Sequence, residues 1–133
     1  EKRHQKRYKM VKFVEKTKIQ RKLKKALRCY FVDQTSSSLL QDIHLARMQL
    51  NYIEYFPRTE NYISLIKGDP TSLKFQTIFS HIAKTIVVDK QFDDVSEQIV
   101  KKFSQSIDDN FDWQTIPPLE IPDQFKGSSD HTT

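Results

Sequence analysis

The chain has 133 residues, with 22 Lys and Arg against 17 Asp and Glu and a formal net charge of +5. Its hydrophobic fraction of 37% is below the globular average, so it can bury only a modest core of its own. No run of about 18 apolar residues is present, which predicts no membrane span. Two glycines leave no room for a glycine-rich phosphate loop. The single Cys29 cannot form an internal disulfide, which fits a reducing cytosolic or nuclear compartment.

The positive charge is concentrated at one end of the chain. The first 28 residues hold 13 of the 22 Lys and Arg and only two acids, a formal +11, whereas the rest of the chain carries −6. Such density favours a polyanionic partner, because phosphate contacts and counterion release would relieve the repulsion. Nucleic acid is the leading candidate. A membrane surface is disfavoured because the apolar residues lack the Trp, Phe and Leu content of an interfacial helix. An acidic protein partner and the chain's own acidic tail stay open.

The first predicted element is one long helix over residues 6–31, about 39 Å in length at 1.5 Å per residue. Its second half separates apolar residues from cations on opposite faces, and its first half adds a second apolar stripe nearly opposite the first. The helix is therefore expected to contact two neighbours, one of which need not belong to this chain. The apolar face comprises Ile19, Leu23, Ala26, Leu27 and Tyr30, and the second stripe Met10, Phe13, Val14 and Thr17.

A polar break at 33–37 precedes a second predicted helix over 39–56, with Ser38 and Gln41 as its capping box. Alternating spacings of four and three favour antiparallel, coiled-coil-like packing on the first helix. Pro57 ends the helix. A short element from Glu60 to Ile66, capped by Thr59, then leads into a turn at 67–70. The packing stripe consists of Leu39, Ile43, Ala46, Leu50 and Ile53, and a second stripe of Leu45, Met48, Tyr52, Tyr55 and Phe56.

The C-terminal half predicts two more helices and a tail. Thr71 or Ser72 caps the third helix, and the β-branched stretch 85–88 is either its end or extended. Asp94 with Glu97 indicates a fourth capped helix. The acidic, Pro-containing tail is expected to be extended or disordered unless it docks. The predicted fold class is all-α, divided into a basic helix (1–32), a second helix with an aromatic–proline corner (33–70), a C-terminal helical region (71–107) and an extended acidic tail (108–133).

Residues suited to catalysis or metal binding are scattered. The four histidines show neither metal-ligand spacing nor a neighbouring nucleophile, so His44 and His81 are interpreted as packing or surface residues. The acidic pairs Asp93–Asp94 and Asp108–Asp109 could hold a metal, but helix capping and solvated loop are favoured. The sequence therefore predicts no enzyme, no metal, no cofactor and no small-molecule substrate.

Two segments together resemble the exit-from-G-one family of ribosomal-RNA processing proteins, which are small-subunit processome factors: RYKMVKFVEKTKIQRKLKK at 7–25 and LARMQLNYIEYFPRTENYISL at 45–65. Asn61 stands where the family usually has Lys, which removes one cation. The resemblance covers about residues 6–66. The first family motif is matched by Arg7, Tyr8, Met10, Val11, Lys12, Phe13, Glu15 and Lys16, and the second by Tyr52, Phe56, Pro57, Thr59, Tyr62, Ile63 and Leu65.

The resemblance implies a nucleolar, non-enzymatic factor in 18S rRNA maturation, with pre-rRNA and processome proteins as partners. A long cationic helix fits that role, because it can neutralise phosphates along one face while it packs on protein along another. Without glycine loops or aromatic platforms, sequence-specific recognition should be weak. The alternative is a protein–protein adaptor whose basic stretch serves only as a nuclear or nucleolar localisation signal.

The sequence predicts two sets of site residues, one that binds RNA and one that docks on partner proteins. The aromatic residues of the second set have an alternative interpretation, as a hydrophobic corner needed only for folding. The predicted RNA-binding residues are Lys6, Arg7, Lys9, Lys12, Lys16, Lys18, Arg21, Lys22, Lys24, Lys25 and Arg28, and the predicted protein-docking residues are Tyr52, Tyr55, Phe56, Tyr62 and Trp113.

Overall fold

The structure is a computed structural model that describes residues 2–57, 61–69 and 71–122, with side chains from residue 8 onward. In these residues it contains helices and no strand, so the predicted all-α fold class is confirmed. None of the described helices is long and apolar enough to cross a bilayer. The elements are α1 (Lys2–Val32), α2 (Ser37–Tyr55), α3 (Leu73–Val87), α4 (Ser96–Ile107) and a 3-10 turn at Trp113–Thr115.

The long helix α1 packs antiparallel on α2 and forms the predicted helical hairpin. Leu23 and Leu27 are fully buried on the face that α1 turns towards its neighbours, and Ile43 is fully buried on α2. Leu39, the first member of the predicted α2 stripe, is only half-buried. Burial of this face supplies most of the stability of the pair, because an isolated cationic helix gains little in water.

The turn between α1 and α2 places the helix cap differently from the sequence prediction. The hydroxyl of Ser36, not Ser38, accepts a hydrogen bond from the Leu39 amide at 3.3 Å. Ser36 has the extended backbone that a cap requires, with φ −78° and ψ 113°, whereas Ser38 already lies in the first turn of α2. The capping-box prediction was therefore wrong by two residues.

The segment after Pro57 does not form the predicted short helical element. Residues 61–64 are irregular and 65–67 form a turn, while the predicted cap Thr59 lies outside the described residues. The backbone of 61–65 is instead hydrogen-bonded to the side chains of α1 and α2, which competes with helix formation. Gly68 closes the turn by donating to the Ser64 carbonyl at 3.0 Å, and a Cβ at this position would collide with that carbonyl.

The C-terminal helices cover the hairpin. Ser72 caps α3 by accepting from the Phe75 amide, and α3 continues to Val87, so the 85–88 stretch is helical through residue 87. α3 packs on α2, and α4 packs on both α1 and α2. α4 begins at Ser96, two residues after the predicted cap Asp94, whose carboxylate nevertheless accepts from the Ser96 amide at 2.9 Å.

The described part of the acidic tail, 108–122, docks on the helices. Phe111 is buried, with its ring centroid 4.8 Å from that of Phe31 on α1. Ile116 is buried as well, and the Glu120 amide donates to His44 Nδ1 at 3.4 Å. The tail therefore needs no other molecule for docking up to Pro122. The prediction for residues 123–133 lies outside the described residues.

Candidate nucleic-acid interface

The outer face of α1 displays a row of exposed cations. Because Ile19, Leu23 and Leu27 face inward at helical spacing, most of the intervening basic residues face solvent. The band extends about 15 Å along the helix axis at 1.5 Å per residue. We call this row the cationic band: Lys18, Arg21, Lys22, Lys25 and Arg28, all exposed, while Lys9 and Lys16 are exposed on other sides of the same helix.

Two predicted RNA-binding lysines are turned towards the protein instead. The Nζ of Lys12 lies 5.3 Å from the centroid of the Tyr62 ring, and the Nζ of Lys24 lies 5.7 Å from that of Phe103. Both lysines are half-buried, and each gains a cation–π attraction of about 0.5–1 kcal/mol. These two ammonium groups are less accessible to phosphate than those of the cationic band. The side chains of Lys6 and Arg7 lie outside the described set.

Glu15 is the functional residue that the sequence pattern did not single out. It is the only acid between residues 8 and 32, yet its side chain is buried at 3% exposure. A buried carboxylate requires donors, and Glu15 receives three. The Tyr62 hydroxyl donates at 2.8 Å, the Leu65 amide at 3.0 Å, and the Ser64 hydroxyl also donates. The surface of α1 from residue 8 onward consequently exposes no negative side chain.

A usable signal for Glu15 existed in the helical spacing. Glu15 stands four residues before Ile19 and eight before Leu23, so it continues the apolar face of α1. An acid on a buried face, in a segment otherwise crowded with cations, predicts an inward contact rather than a surface charge.

The aromatic corner predicted for docking lies inside the chain. Tyr52, Phe56 and Tyr62 are all buried, with the Tyr52 centroid 5.4 Å from Phe56 and 6.0 Å from Tyr62. The Tyr52 hydroxyl donates to the Ile63 carbonyl at 2.7 Å. In the folded chain these three rings offer almost no surface to a partner, which favours the folding-corner interpretation over docking.

Burial also changes the acidity of the corner. Desolvation raises the pKa of Tyr52 well above its usual value, and the Glu15 charge raises it further. Desolvation likewise raises the pKa of Tyr62, and its hydrogen bond to Glu15 adds to the effect. Both phenols therefore stay neutral at every physiological pH and serve as hydrogen-bond donors.

The two other predicted docking residues keep part of their surface. Tyr55 is half-buried, stacked on Phe92 at 4.5 Å between centroids, and donates to the Asp93 carbonyl at 2.9 Å. Trp113 is half-buried at the edge of a groove of about 360 Å³ that Arg47 also lines. Of the docking set, these two residues alone combine an aromatic side chain with accessible surface.

A second polar cluster joins α2 to the start of α4. The buried Arg47 contacts Asp94 at 2.5 Å through Nη2 and donates to the Ser96 hydroxyl at 2.9 Å through Nε. Asn51 adds a bond of 3.0 Å to Asp94. Burial of the Asp94 carboxyl opposes ionisation, but the Arg47 charge and the hydrogen bonds outweigh it and lower the pKa of Asp94. Each of the four residues in this cluster has a hydrogen-bond partner within the chain, which indicates a structural role.

The described residues contain no cluster of three His, Cys, Asp or Glu that could hold a metal ion.

Comparison with known proteins shows which family this chain belongs to. The family model described as "rRNA-processing protein Efg1" matches residues 1–66, which contain α1, α2 and the corner held by Glu15. The chain belongs to the Efg1 family of rRNA-processing proteins.

Relatives named rRNA-processing protein EFG1 support the same membership. The Candida glabrata protein is 36% identical over 72 residues, covering 54% of this chain and 31% of the relative. The Eremothecium gossypii protein is 33% identical over 103 residues, covering 72% of this chain and 46% of the relative. The Botryotinia fuckeliana protein is 42% identical over 64 residues, covering 45% and 21%. The chain spans less than half the length of each relative. No solved structure matches it.

The Efg1 match covers the part of the chain that contains the surface described above. The resemblance stated from the two motifs is confirmed at the level of the family. The matched region carries the cationic band, Glu15 and the buried corner together. Its residues thus divide into those that build the hairpin and those that the hairpin presents to solvent.

Proposed function

We propose that this Efg1-family chain is a non-enzymatic, nucleolar assembly factor that binds pre-rRNA along the outer face of α1. Its partners would be pre-rRNA and proteins of the small-subunit processome, and its role the maturation of 18S rRNA. The observation that carries the proposal is the cationic band on a helix whose only described acid, Glu15, is buried. No negative side chain is exposed on α1 between residues 8 and 32 to repel phosphate at contact distance.

The geometry suits a rigid support for RNA. The inner face of α1 is held by α2 and α4, so binding does not have to order the helix and avoids that entropic cost. The exposed cations can then contact successive phosphates, and each contact releases counterions. Phosphate contacts fix position without reading bases, so RNA shape and neighbouring proteins would set the location.

A salt titration of the 1–133 chain with a structured RNA tests the proposal. Six or more phosphate contacts predict a slope of log affinity against log salt steeper than about −4, at roughly −0.7 per contact. Replacing four band residues, Arg21, Lys22, Lys25 and Arg28, with Gln should flatten the slope by about 3 units.

A matched control removes the same charge elsewhere. Lys84, Lys90, Lys101 and Lys102 are exposed and lie outside α1, so their replacement with Gln should leave most of the slope in place. Equal losses in the two variants would show that net charge alone drives binding. An unchanged slope in the band variant would show that RNA contacts residues outside α1.

The adaptor function is the second candidate, and the exposed apolar residues on α1 favour it. Met10 is 68% exposed and Val14 41% exposed, and surfaces of this kind often contact protein. The two functions separate when the band variant carries an unrelated nuclear import signal. Full recovery of 18S rRNA production would support the adaptor, whereas nuclear protein with defective processing would support RNA contact.

A further inference from the structure

Phe13 is an aromatic ring exposed on the cationic helix. Its side chain is 65% exposed, and the nearest charged residues along the same side of α1 are Lys9, four positions earlier, and Lys16, three positions later. Both lysines are exposed. An exposed aromatic face between two cations differs from the rest of the α1 surface, where the cations of the band have no ring among them.

The protein covers this side of α1 elsewhere but not at Phe13. Lys24 lies eleven residues later, three helical turns and about 16 Å along the axis, and therefore on the same side. There α4 covers the helix through Phe103. Among the described residues, nothing extends that cover to Phe13. The nearest acid in the sequence, Glu15, is turned inward, so the exposed charged side chains beside the ring on α1 are positive.

We propose that Phe13 stacks on an unpaired RNA base while Lys9 and Lys16 contact the phosphates on either side of that nucleotide. This inference rests on the proposed RNA binding and deepens it, because it assigns α1 a preference for RNA with unpaired nucleotides. A base offers its face to an aromatic ring only when it is not stacked within a duplex. Positive grooves with interspersed aromatic side chains bind single strands in this way, with little dependence on base identity.

The neighbouring side chains fit the same ligand. Met10 is exposed one turn before Phe13, and its thioether can contact the edge of a stacked base. The flexible stems of the two lysines let their ammonium groups reach phosphates at different distances from the ring. The Thr17 hydroxyl donates to the Phe13 carbonyl at 3.0 Å, so the backbone carbonyl of Phe13 has a hydrogen-bond partner on α1.

A separate apolar groove of about 340 Å³ lies between α1 and the 62–67 segment. Val11, Val14 and Ile66 line it, and Phe13 does not. The groove and the ring can therefore be tested by different substitutions, with Val11→Ala as the matched control for Phe13.

The test measures binding of the 1–133 chain to two RNA probes with equal numbers of phosphates, a single-stranded oligoadenylate and a base-paired hairpin closed by a short loop. Phe13→Ala and Phe13→Leu should each weaken single-strand binding by roughly 5- to 150-fold, the range measured for one stacked base. Hairpin binding should change by less than about 3-fold, since its bases are mostly paired. The salt slope should stay the same, because no cation is removed. Val11→Ala should leave both probes unaffected.

A spectroscopic measurement detects stacking directly. In a Trp113→Phe background, Phe13→Trp places the only tryptophan of the chain on α1, and its fluorescence should be quenched by the oligoadenylate. Loss of affinity in Phe13→Ala but not in Phe13→Leu would replace stacking with simple apolar contact and overturn the proposal. Unchanged single-strand binding in both variants, with the salt slope intact, would overturn it while the RNA-binding function stands. Failure of the unmodified chain to bind either probe would refute that function as well.

Discussion

The two halves of α1 have similar compositions but are held by different forces. From Ile19 to Val32 the helix is attached by apolar burial, with Leu23 and Leu27 fully enclosed. From Tyr8 to Lys18 its surface leaves large apolar groups exposed, and the buried anchor is the Glu15 carboxylate. The second half is stabilised by apolar area removed from water, and the first half is stabilised by three hydrogen bonds to one carboxylate.

This difference indicates how a protein with a modest core can hold a long cationic helix. A charged anchor does not require a second apolar face, so the outer side of the first half remains available to a ligand. It is, however, directional and sensitive to ionisation, whereas apolar burial is neither. The following predictions test whether the two halves respond as these two kinds of contact should.

The largest effect is expected in the second half. Leu27→Ala removes a fully buried side chain between α1 and its neighbours and should lower the free energy of unfolding by about 2–5 kcal/mol. Val14→Ala in the first half should change it by less than about 0.5 kcal/mol, because Val14 faces solvent. Urea unfolding of both variants measures the contrast, and similar losses would show that the first half packs as tightly as the second.

Glu15→Gln should produce the next largest effect. The amide keeps the shape of the side chain but loses the charge and one acceptor, which should cost about 1.5–3 kcal/mol. Protection of the Leu65 amide in hydrogen exchange should fall with it, because this amide donates to Glu15. Glu54→Gln is the control, since Glu54 is exposed on α2. Unchanged Leu65 protection would mean that the carboxylate does not hold the 62–65 segment.

Alkaline pH should destabilise the chain through the aromatic corner that contacts the first half of α1. The folded-state pKa values of Tyr52 and Tyr62 are raised above the unfolded value of about 10, so the unfolded state loses protons first. Stability is then fully present below pH 10 and falls as pH rises above it, by about 1 kcal/mol per tyrosine at pH 10.5.

Tyr62→Phe provides the comparison for this pH effect. The variant is less stable at neutral pH because it loses the donor to Glu15. The additional decrease in its free energy of unfolding above pH 10 should be smaller by the contribution of one tyrosine. Urea midpoints at pH 8, 9.5 and 10.5 measure both terms. The same pH slope in the variant and the unmodified chain would exclude Tyr62 as a source of the alkaline loss.

The smallest effect distinguishes two adjacent lysines. Lys24→Gln should cost about 0.5–1 kcal/mol through its lost cation–π contact with Phe103. Lys25→Gln should stay within about 0.5 kcal/mol, because this side chain is exposed on the cationic band. For RNA affinity we expect the reverse order, with Lys25→Gln weakening binding more than Lys24→Gln. Equal stability effects would show that the Lys24 contact contributes nothing in solution.

Much of the helical architecture could be predicted from periodicity. The spacing of Ile19, Leu23 and Leu27 against the intervening cations identified both faces of α1, and the same regularity in α2 identified its partner. Local hydrogen bonding was harder to predict. Serines recur from Ser36 to Ser38, and only the backbone conformation of Ser36 allowed it to cap α2.

The candidate site was predicted in outline and corrected in detail. The charge distribution identified α1 as the basic element, but charge alone could not separate Lys24 from Lys25, because the ring that Lys24 contacts belongs to α4, more than seventy residues later. The same limit applies to the aromatic corner. The sequence could not distinguish a buried Phe56 from an exposed one, since either position is compatible with a ring before a proline.

The sequence by itself determined that this Efg1-family chain is helical, that one end is strongly cationic, and which face of α1 is apolar. These are properties of composition and of a 3.6-residue period, and both are fixed before the chain folds. Only the tertiary structure decided which groups donate to the Glu15 carboxylate, that Phe13 is left uncovered and that the tail docks as far as Pro122. Each of these outcomes depends on contacts between residues far apart in the chain, where geometry and desolvation, rather than local preference, determine which side chains reach solvent.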